Sequence, residues 1–143
     1  MSTPAPTLQD YPLHAQDKLR YADTDRQGHV NNAVFATLFE TGRVEVIYAQ
    51  EAPLHEPGCS FVIASLKIDF LDEVHWPGSV DVGTRVGKIG RSSVTLEQAI
   101  FQKGRCVATS NSVIVHVDTS TRRSSPLGAS AISRLSALMP AAS

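Results

Sequence analysis

The segment Arg20-Tyr21-Ala22-Asp23-Thr24-Asp25-Arg26-Gln27-Gly28-His29-Val30-Asn31-Asn32 gathers two acids, a glycine, a histidine and the side-chain amides of Asn31 and Asn32 just ahead of an amphipathic stretch. A helix starting at Asn31 or Asn32 would turn its unpaired N–H groups and positive dipole end toward this loop, which suits a developing oxyanion. The carboxylates share the loop. On residue type alone, an Asp-Thr-Asp run before a helix serves capping and turn formation, and Asp23 keeps that structural reading. His29 can act as a general base, orient a carboxylate or simply pack. Asn31 and Asn32 can cap the helix, or an amide there can hold an attacking water. Glu40, two turns further on, can be a second acid, although an i,i+3 pair with Arg43 is the plainer explanation.

Other chemistries lack their parts. The chain has no Gly-x-Ser-x-Gly elbow, no glycine-rich phosphate loop and no His-Glu-x-x-His, so serine hydrolase, P-loop and zincin readings fail. The five histidines, His14, His29, His55, His75 and His116, show no ligand spacing, and no metal or cofactor is implied. Cations that could meet phosphates are Arg91, beside Ser92 and Ser93 in a turn, and Arg122 and Arg123 after the last strand.

These groups need a scaffold. From residue 32 to residue 50, Val34, Phe35, Leu38, Phe39, Val46 and Ile47 recur at helical spacing, and Pro53 with Pro57-Gly58 marks the end. The pattern then changes to period two: Val62, Ala64, Leu66, Ile68 and Phe70 on one face, Ser65, Lys67 and Asp69 on the other. Further strands are expected at about 80–89, 93–102 and 105–117, with short glycine-containing links that make neighbours antiparallel. Residues 13–21 can supply a strand before the helix, and residues 126–139 a short terminal helix. Residues 1–14, rich in Pro, Thr and Ala, read as a flexible leader to a single domain over 15–143. Such a sheet twists and can curl around the helix, and Gly42 within the helix marks a close approach of the two. One helix cannot cover every strand edge, so pairing of subunits is expected.

Composition agrees with one ordinary globular domain. The chain has 143 residues, 42% hydrophobic and 19% charged, with a formal net charge of -1. A chain of this length buries roughly 68–70% of its unfolded surface. Nothing suggests nucleic acid. No apolar run is long enough for a membrane span or placed as a secretory signal. Cys59 and Cys106 are far apart and form no CxxC, so they read as thiols in a reducing compartment, with the cytoplasm as the expected location.

The pattern Asp23-x-Asp25-x-x-Gly28-His29-Val30-Asn31-Asn32, with Phe35 and Phe39-Glu40-Thr41-Gly42-Arg43, resembles the signature of the 4-hydroxybenzoyl-CoA thioesterase-like family. Trp76-Pro77-Gly78 and Gly90-Arg91-Ser92-Ser93 resemble later elements of that family, so the likeness covers roughly residues 17–118. It implies an α+β hot-dog fold, a curled antiparallel sheet wrapped around one long central helix. It also implies an acyl-CoA or acyl-carrier-protein thioester hydrolase acting as a homodimer or homotetramer. The Gly-His-Val-Asn-Asn variant is closer to the long-chain acyl thioesterases than to the aromatic ones.

By this resemblance Asp25 is the catalytic acid, as general base or nucleophile, and the N–H matching Asn32 polarises the thioester carbonyl. His29 is the third catalytic candidate. Gly28, Val30, Asn31 and Glu40 are expected near the substrate, and Arg91, Ser92, Ser93, Arg122 and Arg123 near its phosphates. Two rival functions remain: a hot-dog dehydratase or isomerase using a His and acid pair, and a thioester-binding module without turnover.

Overall fold

The computed structural model describes residues 6–48 and 52–140. In chain order it contains β1 (Leu13–Lys18), α1 (Asn32–Ile47), β2 (Cys59–Phe70), β3 (Ser79–Ile89), β4 (Ser93–Gln102), β5 (Arg105–Asp118) and α2 (Ala129–Ser136). The five strands form one antiparallel sheet in the order β1-β3-β4-β5-β2. The helix expected over 32–50 ends at Ile47 with Tyr48 as its cap; residues 49 and 50 lie outside the described residues, as do 1–5 and 141–143 of the expected leader and domain.

Packing follows the apolar stripe of α1. Its first half places Phe35, Leu38 and Phe39 against Val80, Val82, Ile100, Val107 and Ala108. Its second half places Val46 and Ile47 in a cluster with Val86, Val94, Leu96, Ile114 and Leu135 of α2. The helix lies chiefly over β1, β3 and β4, which leaves the inner face of β2 thinly covered.

Two details differ from the sequence reading. Part of the leader drawn over 1–14 is packed: Leu8–Asp10 form a 3-10 turn, His14 Nε2 lies 2.8 Å from Leu8 O and 2.7 Å from Tyr11 O, and Tyr11 is buried. Tyr11 can lie flat on the outer sheet face because Gly83 beneath it has no side chain; a Cβ there would come within 2.7 Å of its ring. The second difference is in β2. A bulge shifts the register between Ile63 and Ser65, so the strict alternation breaks at Ala64. Phe61, Ile63, Leu66, Ile68 and Phe70 therefore pair with His116, Ile114, Ser112, Ser110 and Ala108, the inner-facing residues of β5. The expected face is correct from Leu66 to Phe70 and reversed before the bulge.

Gly42 is where helix and sheet come closest. A Cβ built there would lie 2.5 Å from Gln98 Nε2, 2.6 Å from Thr84 Oγ1 and 2.9 Å from Val82 Cγ1. Gln98 cannot yield cheaply, because its buried Nε2 donates to Phe39 O at 2.9 Å and to Thr84 Oγ1 at 3.0 Å.

The loop ahead of α1 is held by a second set of contacts. Tyr21–Asp23 form a 3-10 turn, and buried Asp23 accepts from Arg20 N at 2.8 Å and Arg20 Nη2 at 2.9 Å. Its main-chain oxygen accepts from Asn31 N at 2.8 Å, which ties the turn to the helix start. Burial pushes the Asp23 carboxyl up, but the Arg20 N–H, the guanidinium hydrogen bond and its charge outweigh that and hold it below the ordinary 3.8. A depressed carboxyl stabilises the fold fully above its unfolded value and loses that contribution as pH falls through its folded value.

Two outcomes follow for stability. Gly42→Ala gains about 1 kcal/mol of helix propensity but overpacks a rigid contact, typically worth about 1–3 kcal/mol, so its melting temperature should fall rather than rise. Asp23→Asn should cost about 1–3 kcal/mol at neutral pH, most of it from the bond to the Arg20 N–H because the Arg20 side chain is solvated. In urea unfolding the gap between Asp23→Asn and the parent should narrow below about pH 4; an equal gap at all pH values would show that the charge contributes nothing.

Candidate active site

Asp25 opens a tight hairpin. Its N–H donates to His29 O at 2.8 Å, its carbonyl accepts from Gly28 N at 3.1 Å, and Thr24 bridges Val30. Gly28 sits at φ +80°, the left-handed region that a side chain resists, so the turn requires glycine at this position. The Asp25 carboxylate is steered by the same turn: Oδ1 accepts from Gln27 N at 2.9 Å and from His29 N at 3.2 Å. Oδ2 has no hydrogen-bond partner among the described residues.

Asn31 is the N-cap of α1, and its Oδ1 accepts from Ala33 N at 3.0 Å. Val34 N donates to Asn31 O at 2.9 Å. Among the described residues the Asn32 N–H, first in the helix, is left without an acceptor. The Asn31 side chain is therefore committed to capping, and the free donor belongs to the Asn32 main chain.

Asp25, His29, Val30, Asn32 and Phe35 line one cleft of about 300 Å³, completed by Phe70, Leu71, Asp72 and Glu73. Phe35 forms its floor, with the Phe70 ring edge-on at 5.1 Å. Asp25 and Asn32, which carries the free helix N–H, thus border one pocket together with the buried Phe35. Its volume lies at the small end for a ligand site, enough for a thioester and the start of a chain but not for a whole acyl-CoA. A separate, more apolar cavity lined by Val46, Leu54, Leu135 and Leu138 lies by the far end of α1, about 20 Å along the helix from Asn32.

The remaining candidates scatter. Val30 is buried in the core as well as lining the cleft. Glu40 is exposed eight residues beyond Asn32, about 12 Å along the helix, and does not line this cleft. Nor does it make the plain pair with Arg43: among the described residues no ion pair joins them, and Arg43 is buried with Nη1 unpartnered. Burial pushes the Arg43 guanidinium down, with Glu40 opposing from a distance.

Arg91, Ser92 and Ser93 occupy the β3–β4 turn, which also packs, since Arg91 O accepts from Leu127 N and Ser92 O from His116 N. Arg122 and Arg123 follow β5, and Arg122 borders a groove with Ser60 and Val62. All five are at the end of the sheet where β2 begins, whereas the Asp25 cleft is where β2 ends. Ten residues of strand separate Ser60 from Phe70, about 34 Å, so one chain does not bring these cations to Asp25.

Sequence reasoning missed the far wall of the cleft, Phe70 to Glu73. Val30 N donates to Val74 O at 2.9 Å and His29 bridges His75. That pairing joins segments remote in the chain, and no local signal announces it. Trp76 lies outside the cleft, edge-on to Tyr21 at 5.2 Å.

The thioesterase-like superfamily model matches residues 19–135. A thioesterase of Thermus thermophilus, solved with coenzyme A and zinc, is 31% identical with a TM-score of 0.79, over 91% of this chain and 96% of that one. The PA5185 protein of Pseudomonas aeruginosa PAO1 is 26% identical with a TM-score of 0.87, over 98% of this chain and 100% of that one. A Staphylococcus aureus DHNA-CoA thioesterase, 24% identical over 87% of this chain and 91% of its own, shares the fold at a TM-score of 0.77. No curated protein matches the chain. With most of its length matched by one family and its sheet curled over a single long helix, the chain belongs to the thioesterase-like superfamily and is a thioesterase of the hot-dog fold.

Proposed function

We propose that this protein hydrolyses acyl-CoA or acyl-carrier-protein thioesters with Asp25 as the reacting carboxylate and the Asn32 N–H as oxyanion donor. The observation that carries the reading is that Asp25, its carboxylate steered by the Gln27 and His29 amides, and Asn32, with its unpaired helix N–H, line the same cleft as Phe35. A thioester needs little more, because its leaving thiolate has a conjugate acid near a pKa of about 8.5 and departs without strong acid assistance. As general base, Asp25 takes a proton from water attacking the carbonyl carbon. As nucleophile, it forms an acyl anhydride that water then opens. Both routes expel thiolate and leave a free acid, and in both the carbonyl oxygen gains charge against the Asn32 N–H, worth about 2.7–4 kcal/mol for donors of this kind. His29 serves Asp25 through its main-chain N–H, while Gly28, Val30 and Asn31 set the loop. The coenzyme A of the Thermus thermophilus neighbour supports coenzyme A thioesters as the substrate class.

The rest of the substrate calls for a second copy of the chain. β2 pairs on one side only, and Ile63, Leu66 and Phe70 on its inner face are 47%, 38% and 49% exposed, too much apolar surface at a free edge for an isolated subunit. Antiparallel pairing of two β2 strands about a two-fold axis near their middle sets Phe70 of one subunit opposite the start of β2 in the other. The partner's Arg122 and the partner's Arg123 then approach the mouth of the Asp25 cleft and can hold the phosphates, with Arg91, Ser92 and Ser93 at the same end.

Asp25→Asn keeps an oxygen for the Gln27 and His29 amides, so fold and assembly should persist while thiol release from an acyl-CoA falls by about 10²–10⁴-fold. Undiminished release would remove the mechanism. Turnover without thiol release would assign dehydratase or isomerase chemistry, and saturable binding without turnover a binding module. Leu66→Lys should convert the assembly to monomers in analytical ultracentrifugation and cut activity. Arg122→Ala should raise KM for a CoA ester while sparing a short thioester that lacks the nucleotide. A parent protein that sediments as a monomer would overturn the pairing.

A further inference from the structure

The imidazole of His29 has no part in the hydrolysis described above, and it belongs to a different constellation. His29, Glu73 and His75 bring ligand-type atoms within 4.8 Å of one another. His29 Nε2 and His75 Nε2 lie 3.3 Å and 3.8 Å from the same Glu73 Oε2. Both distances exceed the about 2.7–3.2 Å of an N–H···O hydrogen bond. They are instead close to the spacing between ligand atoms around a tetrahedral ion, about 3.3–3.6 Å for metal–ligand bonds of about 2.0–2.2 Å.

The backbone supports this convergence. His29 and His75 form an antiparallel bridge, and their rings meet edge to face at 5.1 Å. Gln102, itself buried, clamps His75 from behind: its Oε1 accepts from His75 N at 3.1 Å and its Nε2 donates to His75 O at 2.8 Å. Two histidines thus stand side by side on bridged loop segments, with a carboxylate within reach of both on the rim of the Asp25 cleft.

We infer that His29, Glu73 and His75 form a binding site for a divalent transition ion of the zinc class, with three protein ligands and the fourth position open. Two imidazoles and one carboxylate suit zinc and its neighbours; calcium and magnesium need more oxygen ligands than this cluster offers. An ion here ties the Asp25 hairpin to the segment leading into β3, so it stabilises the loop that carries the reacting acid.

Untagged protein, stripped with chelator and dialysed, is titrated with Zn²⁺ against a chromophoric chelator and separately with Co²⁺ by visible absorption. One Zn²⁺ should bind per chain, about tenfold or more weakly in Glu73→Gln and in His75→Ala, and unchanged in Cys59→Ser and Cys106→Ser. Co²⁺ should show the intense bands of a four-coordinate site, and Zn²⁺ should raise the melting temperature of the parent but not of His75→Ala. Both altered side chains are half exposed, so circular dichroism should report an intact fold. Absence of saturable binding, or one ion per chain that persists undiminished in both Glu73→Gln and His75→Ala, would overturn the site. Neither result bears on the thioester reading, which stands or falls with Asp25→Asn.

Discussion

A helix can offer its first amide to a ligand only if the chain ahead of it is held by something other than that amide. Everything in the candidate site depends on this constraint. In this protein the Asn31 side chain takes the Ala33 N–H, the Asn31 carbonyl takes the Val34 N–H, and the Asn31 N–H goes to Asp23 O. Val30 is pinned to Val74 across the loop. With those bonds made, the Asn32 N–H remains over, and the positive end of a sixteen-residue helix stands behind it. Asp23, whose carboxylate is committed to Arg20, anchors the turn ahead of Asp25, whose Oδ2 has no hydrogen-bond partner among the described residues.

A similar division of roles governs the packing between helix and sheet. Gly42 lets α1 settle onto Thr84 and Gln98, and Gln98 secures the close approach by donating to the Phe39 carbonyl. These polar groups form a stripe across the inner face, with Ser110 and Ser112 of β5 continuing it without partners among the described residues. On either side lie the two apolar clusters, one under the helix start and one under its end. The helix is therefore fixed in translation along the sheet, and the distance from Asn32 to the end of β2 follows from it.

Much of this was legible in the sequence because it is local. The loop, its glycine, the helix register and the four long strands are each written within a dozen residues, and turn chemistry or periodicity reads them directly. What escaped was non-local or conditional on burial. The bulge at Ala64 reversed half of the β2 face, since an alternating apolar run does not record an extra residue. Glu40 and Arg43 have the right spacing for a pair, yet burial of Arg43 beside Gly42 separates them. Tyr11 looked like leader, but its ring found a glycine on the outer sheet face. The closeness of His29 and His75 has no local signal because a β-bridge, not a helix turn, sets them side by side.

The exposed edge of β2 bears on the pairing proposed above. In the Asp25 cleft, Phe70 and Leu71 are 49% and 56% exposed, so the wall that should enclose an acyl chain is itself wet. In the proposed mechanism, a charge developing on a carbonyl oxygen would be stabilised more strongly by the Asn32 N–H when water is excluded, because the same dipole acts through a lower dielectric. Covering the free edge of β2 with a second copy would therefore bury the apolar strand, close the cleft and strengthen the oxyanion contact together. In the proposed arrangement assembly would be a condition of turnover rather than a separate property, and the cations too far from Asp25 within one chain would stand at the end of the strand where a two-fold pairing needs them.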